Sequence, residues 1–221
     1  MSSTSRTVIL RLQALSFAYA GQPALVADWS ASIGPGVTLL YGDTGSGKST
    51  LLRLMAGALH AGGGRVTLAG VHLDEDAKAY KRKLFFCDPT TDAFDQRTAR
   101  DTTTLLSAGD ARFDEARWQD LVEGFALAPH LDKPMYMLST GSKRKVWLAA
   151  ALASGRALVL LDEPTGGLDA ASIACLWSEL TRVAEQAERA IIFASAERVH
   201  RVPLAGLIEL PVDWGRTALA P

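Results

Sequence analysis

Apolar positions along this chain fall into two periodicities. Short β-branched and aliphatic runs bounded by glycine or proline predict strands, and apolar residues three and four apart predict helices. Strand character falls on residues 7–12 and 15–19, before the turn Gly21-Gln22-Pro23, and again on residues 24–33. The run 37–41 follows Gly34-Pro35-Gly36 and predicts a buried strand. Apolar residues at 51, 52, 54, 55 and 59 predict a helix ending near His60. Gly62-Gly63-Gly64 breaks the chain, and residues 65–69 and 71–73 predict a small hairpin around Gly70. The polar stretch 74–83 reads as an exposed helix, and residues 84–87 as a short buried strand stopped by Asp88-Pro89.

From about 98 to 155 the pattern changes and no clear strand occurs. Helices are predicted over 98–107, 114–126 and 142–154, separated by Gly109-Asp110, Pro129 and Pro134. Strands return at 157–161 and 190–194, with an amphipathic helix over 170–187 between them. Residues 206–210 predict an edge strand and 211–221 a loop. The expectation is one domain over 1–221: an α/β core interrupted by a helical insertion over 88–155.

The segment Gly42-Asp43-Thr44-Gly45-Ser46-Gly47-Lys48-Ser49-Thr50 lies between the strand 37–41 and the helix after it. Strand, glycine loop and helix is the context that the pattern G-x-x-x-x-G-K-[ST] requires. Its glycines let successive N–H groups turn inward at phosphate oxygens, and the helix dipole adds to that field. Lys48 would reach the β- and γ-phosphates, and the Ser49 hydroxyl would complete a Mg²⁺ shell. This is a nucleotide-phosphate site.

Composition removes several classes. At 221 residues the chain can bury a core, and 48% apolar residues exclude a disordered chain. Its longest apolar runs are too short to cross a bilayer, and the N-terminus lacks a secretory hydrophobic region, which points to the cytoplasm. Cys87 and Cys175 form no C-x-x-C pair and are expected to be buried, reduced thiols. With 23 basic and 24 acidic residues, the net charge of −1 lacks the footprint of a nucleic-acid binder. Lys81-Arg82-Lys83 and Lys143-Arg144-Lys145 are expected to be solvated faces.

A phosphate loop also needs an acid for the metal at the end of a neighbouring strand. Leu158-Val159-Leu160-Leu161-Asp162-Glu163 supplies one where a parallel sheet places its site. Asp162 would hold the metal, directly or through water, and Glu163 would polarise the attacking water.

These residues carry a resemblance. Leu161-Asp162-Glu163-Pro164-Thr165 with Gly166-Gly167-Leu168-Asp169 resembles the Walker B motif and D-loop of ATP-binding-cassette (ABC) ATPases. Leu138-Ser139-Thr140-Gly141-Ser142 stands where that family carries its signature, Leu-Ser-Gly-Gly-Gln. The order of motifs covers nearly the whole chain. The resemblance implies a P-loop NTPase core with a mostly parallel sheet, an N-terminal antiparallel β subdomain and an inserted α-helical subdomain. It implies ATP and Mg²⁺ as ligands, with Tyr19 stacking on adenine and the whole stretch from Gly42 to Thr50 around the phosphates. Ser139 and Gly141 would contact the γ-phosphate held by a second cassette, so that two cassettes, identical or different, close over two ATP molecules. Separately encoded transmembrane permease subunits would dock on the helical insertion and the loop near Asp88, holding the chain at the inner face of the membrane.

The pattern is departed from in three places. Asp88 replaces the family's glutamine; it could still face Mg²⁺, but with a shorter reach. Thr140 replaces a signature glycine. Ala196 stands where the family carries its switch histidine, and His200, read as a solvated helix residue, lies four positions later. A hydrolysis-impaired regulatory cassette of a heterodimer is therefore an alternative to a working transporter ATPase. A non-transport ABC ATPase and a P-loop kinase are more distant alternatives: the chain lacks the long coiled-coil insertions or tandem cassettes of the first, and the second leaves the signature and D-loop unexplained.

Overall fold

The computed structural model describes residues 7–86, 88 and 91–211. The expectations for Cys87 and for the tail beyond residue 211 lie outside the described residues.

Two sheets form the frame. The first is antiparallel, with strands β1 (Leu10–Ala18), β2 (Ala24–Ile33), β4 (Gly63–Leu68) and β5 (Val71–His72) in the order β2-β1-β4-β5. The two strands expected over 7–12 and 15–19 are a single strand with an irregular register. Ala14 takes a left-handed φ of 50°, and the pairing of β1 with β2 shifts between Leu12 and Leu15. The Ser30 hydroxyl accepts from the Ala14 N–H at 2.9 Å, so the bulge leaves that donor satisfied. Leu10, Leu12 and Leu15 consequently all face inward.

The second sheet is wholly parallel. Its strands are β3 (Gly36–Tyr41), β6 (Leu84–Phe86), β7 (Leu158–Asp162), β8 (Ala190–Ser195) and β9 (Gly206–Glu209), ordered β6-β7-β8-β3-β9. Residues 206–209 thus form the expected edge strand. A parallel sheet is covered on both faces, so its central strands read as unbroken apolar runs. Successive residues of one run enter different cores. Leu39, Val159, Leu161, Ile191 and Phe193 pack on the helical side, while Leu40, Leu158, Leu160 and Ile192 pack toward the antiparallel sheet.

Helix α1 (Lys48–Met55) lies between the sheets and buries Leu51, Leu52, Leu54 and Met55. It stops five residues before His60, because Gly57 turns left-handed at φ 64°. Helix α2 (Ala77–Arg82) occupies the stretch expected to be exposed, yet Tyr80 is fully buried and its hydroxyl donates to Met55 O at 2.6 Å. One aromatic among lysines gives no periodic signal, which is why sequence missed it.

The insertion contains α3 (Ala99–Ser107), α4 (Glu115–Gly124) and α5 (Thr140–Ala153). Each begins on a side-chain cap: Thr98, Asp114 and Ser139 accept N–H bonds from the first turn. Helix α6 (Ala170–Gln186) is capped by Asp169 and packs Leu176, Leu180 and Val183 into the helical core. Cys175 on α6 is a free thiol, half-buried rather than fully buried, and burial pushes its pKa up.

Candidate functional site

The glycine loop joins the carboxyl end of β3 to α1. Gly45 and Gly47 take φ values of 82° and 98°, a region that favours glycine. A Cβ on Gly47 would also lie 2.2 Å from Leu25 Cδ1, so β2 packs directly beneath the loop. The first N–H groups of α1 have no partner within the helix, which makes such a helix start a ready anion site. Lys48 is buried, 5% exposed, and its ammonium donates to the carbonyls of Gly42 at 2.8 Å and Asp43 at 3.1 Å. The side chain therefore folds back across the loop, whose Asp43, Thr44 and Gly45 are exposed.

Tyr19 lies just beyond β1 and is 44% exposed, so it is not a residue of the core. Its hydroxyl is 3.0 Å from Thr50 Oγ1, and its ring meets Phe17 edge-on with centroids 4.9 Å apart. A flat aromatic surface is thus tied to the first turn of α1.

Asp162 is the last residue of β7, and Glu163 follows it with a left-handed φ of 43°. Asp162 Oδ1 is buried without a hydrogen-bond partner among the described residues. An ionised oxygen in that state is costly unless a cation or its water completes it. With the half-buried Ser49 hydroxyl at the start of α1, the donors are hard oxygens suited to Mg²⁺. No cluster of three or more metal-binding side chains occurs among the described residues, so phosphate and water would supply the rest of the shell. Ser46 Oγ is likewise buried and unpartnered among the described residues. Glu163 Oε1 lies 3.3 Å from Lys48 Nζ. The arrangement can hold a polyphosphate and offer a carboxylate to a water beside it.

The signature segment stands at the start of α5. Ser139 accepts from the Ser142 N–H at 3.1 Å, and both Ser139 and Thr140 are exposed. A Cβ on Gly141 would lie 2.2 Å from the carbonyl of Gly167, so a glycine is required where α5 meets the loop after β7. The run Lys143-Arg144-Lys145, expected to be a solvated face, is engaged throughout. Lys143 pairs with Asp95 at 2.6 Å, Arg144 donates to the carbonyls of Glu163 and Gly166, and Lys145 pairs with Asp169 at 2.6 Å. The Lys145 bond, with the Ser172 N–H, holds the Asp169 carboxyl well below the usual carboxylate range.

Asp88 does not stand apart as a bare carboxylate: its Oδ2 accepts from Arg53 Nε at 3.2 Å and Nη2 at 2.9 Å. Ala196 follows β8, and the Glu197 N–H donates to Ser195 Oγ at 3.0 Å. His200 is exposed, as expected, but in a loop rather than a helix.

A family model described as ABC transporter matches residues 27–166. The cobalt import ATP-binding protein CbiO of Rhodobacter capsulatus is 34% identical over 175 residues, which is 75% of this chain and 62% of that protein. The chain thus spans about three-fifths of that relative's length. The zinc import ATP-binding protein ZnuC of Halorhodospira halophila is 31% identical over 211 residues, 95% of this chain and 76% of that one. Among solved structures, an ABC transporter ATP-binding protein from Pyrococcus furiosus superposes with a TM-score of 0.73 over 91% of this chain and 96% of its own, at 22% identity. That likeness concerns the fold.

Proposed function

The chain belongs to the ABC transporter family of ATP-binding proteins, whose general activity is ATP hydrolysis, and from that premise we propose that it powers a transporter through dimer closure and reopening. The observation that carries this reading is the convergence of Lys48, Asp162 and Glu163 where the glycine loop meets the end of β7. In the proposed cycle, Tyr19 stacks on adenine and the N–H groups from Gly45 to Thr50 surround the phosphates. Lys48 leaves the carbonyls of Gly42 and Asp43 for the β- and γ-phosphate oxygens. Glu163 accepts a proton from the water that attacks the γ-phosphorus, and the bond to the β-phosphate oxygen breaks, leaving ADP and phosphate. Mg²⁺ held through Ser49 and Asp162 would neutralise charge on the phosphates.

The exposed Ser139, with Gly141 behind it, is the proposed contact for a γ-phosphate held by a second cassette. A cleft of about 300 Å³ lies between the loop after Asp88 and α5, lined by Asp92, Asp95, Thr140, Lys143 and Trp147. It supports docking of a permease's cytoplasmic segment on the helical insertion, within a single cassette domain. None of the helices among the described residues is long and apolar enough to cross a membrane. Association with the inner face of the membrane would therefore run through the permease. CbiO and ZnuC are named for import.

One observation favours a second reading. Ala196 can neither donate to a γ-phosphate nor orient water, which suits a regulatory cassette paired with a more active partner. Phosphate release from the protein in Mg-ATP, beside Glu163→Gln, separates the two. Release that rises more than linearly with protein and disappears in the variant supports a dimerising ATPase. No release from a parent that binds ATP supports the regulatory cassette.

A further inference from the structure

The start of α5 and the loop after β7 are interlocked at three points. Gly141 packs on Gly167, Lys145 pairs with Asp169, and between them Arg144 reaches the backbone at Glu163 itself. Its Nη1 donates to the carbonyl of Glu163 at 2.8 Å and to that of Gly166 at 2.6 Å. The Glu163 carbonyl also accepts from the Gly166 N–H at 3.1 Å, closing a tight turn from Glu163 to Gly166. Glu163 enters this turn with φ of 43°, a conformation that non-glycine residues hold only where surrounding contacts enforce it.

Arg144 forms no ion pair with a carboxylate among the described residues. Its partners are two carbonyl oxygens, and one belongs to the residue whose side chain lies 3.3 Å from Lys48. A cation aimed at backbone acceptors contributes orientation rather than charge neutralisation. Loss of it would free the peptide plane after Glu163 and let the carboxylate swing.

We infer that Arg144 is a positioning residue that fixes the peptide of Glu163 and ties its carboxylate to the helix beginning at Ser139. The inference rests on the proposed role of Glu163 as the base. It implies that a shift in the first turns of α5 is transmitted to the catalytic carboxylate of the same chain, so the surface offered to a partner's nucleotide and the chain's own base move together.

Two perturbations reach the contact from opposite sides. Arg144→Met keeps the aliphatic stem and removes both hydrogen bonds. Gly166→Ala keeps the arginine, but its methyl would lie 2.1 Å from Nη1 and push the guanidinium aside. Gly166 is outside the left-handed region, and the atom it meets is the end of a flexible side chain, so this variant folds. The experiment measures kcat for Mg-ATP and the Kd for ATP on the full chain. Both variants are expected to lower kcat about tenfold or more with Kd within about twofold, because sub-ångström misplacement of a base acts on the chemical step. Arg144→Lys should recover part of the loss, and Arg144→Met should add nothing in a Glu163→Gln background. Parent-level kcat in Arg144→Met and Gly166→Ala, with Glu163→Gln inactive, overturns the inference alone. A Glu163→Gln variant as active as the parent, or a parent without phosphate release, overturns the role of Glu163 and the inference with it. Should Arg144→Met fail to fold, Gly166→Ala decides.

Discussion

The ammonium of Lys48 lies 3.3 Å from Oε1 of Glu163, while also bonding the carbonyls of Gly42 and Asp43. The residue proposed to bind phosphate is thus held by the residue proposed to activate water. Lys48 opens the helix after β3 and Glu163 follows β7, strands that the parallel sheet brings together through their common neighbour β8. In the proposed function, nucleotide entering the loop would draw Lys48 off its present partners. That exchange would leave the Glu163 carboxylate, whose side chain is 43% exposed, available to a water molecule.

Substituting Glu163 by Gln should therefore separate binding from chemistry. The amide cannot accept a proton at neutral pH, so kcat should fall by roughly 10²-fold or more. ATP affinity should stay equal or tighten by a few-fold, since Lys48 is no longer held by a charge. Lys48→Ala should abolish binding. Titration with a fluorescent ATP analogue, beside phosphate release, checks both; loss of affinity in Glu163→Gln would contradict the exchange.

Gly141→Ala tests the seam between α5 and the loop after β7. Its methyl would meet a backbone carbonyl, Gly167 O, at 2.2 Å, and backbone cannot rotate away as a side-chain tip can. The expected cost is about 1–3 kcal/mol in urea unfolding, with a loss of ATPase activity. Gly70→Ala is the contrast: unlike Gly141 it sits at positive φ, 80°, but an added Cβ would meet nothing within 4 Å. Only backbone strain is then at issue, about 1 kcal/mol, with activity retained.

Much of this architecture was legible because its signals are local. The buried run 37–41 before Gly42 and the apolar strands 157–161 and 190–194 are read from adjacent residues. What was not legible depends on distant backbone. Arg144 looked solvated because it stands between two lysines, and its acceptors are carbonyls 19 and 22 residues downstream that carry no side-chain signature. Tyr80 looked exposed because α2 has only six residues, too few to display a face. The bulge at Ala14 made one strand look like two, since the extra residue inverts the alternation of sides.

The buried phenol of Tyr80 predicts a loss of stability in alkali. Burial pushes its pKa above the usual value, and its hydroxyl is spent on Met55 O. In the unfolded chain a tyrosine ionises near pH 10, while folded Tyr80 keeps its proton to higher pH. Above pH 10 the unfolded state therefore binds fewer protons, and stability falls by about 1.4 kcal/mol per pH unit until the folded value is reached. Tyr80→Phe should cost about 1 kcal/mol at neutral pH by losing the hydrogen bond. It should also flatten the alkaline slope by that one group. Urea unfolding of both proteins at pH 8 and pH 11 measures it; equal slopes would contradict the burial argument.

Tyr19 should behave as a binding surface rather than a core residue. It is 44% exposed, so Tyr19→Ala should cost little in thermal stability while weakening ATP binding about tenfold through lost stacking. Tyr19→Phe keeps the ring and loses only the bond to Thr50, so its Kd should stay near the parent's. Equal affinities for Phe and Ala would mean that adenine does not stack there.

The remaining prediction concerns the position that lacks a histidine. Ala196 follows β8 in a loop fixed from both sides. The Glu197 N–H is bonded to Ser195 Oγ, and Arg198 pairs with Glu209 at 2.7 Å while lying 4.5 Å over the Tyr41 ring. Tyr41 immediately precedes the glycine loop, and the Gly42 N–H faces Ser195 O at 3.4 Å. A side chain grown from position 196 would thus emerge from an anchored loop beside the first residue of the phosphate site. An imidazole there can orient the attacking water or donate to a γ-phosphate oxygen, which a methyl cannot. Ala196→His should raise kcat by roughly tenfold, within the range for a positioned general acid or base. The gain should disappear in the Ala196→His, Glu163→Gln double variant, because the imidazole assists the carboxylate rather than replacing it. A rate unchanged by the histidine would mean that the fixed carboxylate already meets the demand of the chemical step, or that another step, such as dimer reopening, sets kcat. A single-turnover measurement of phosphate formation separates those two outcomes.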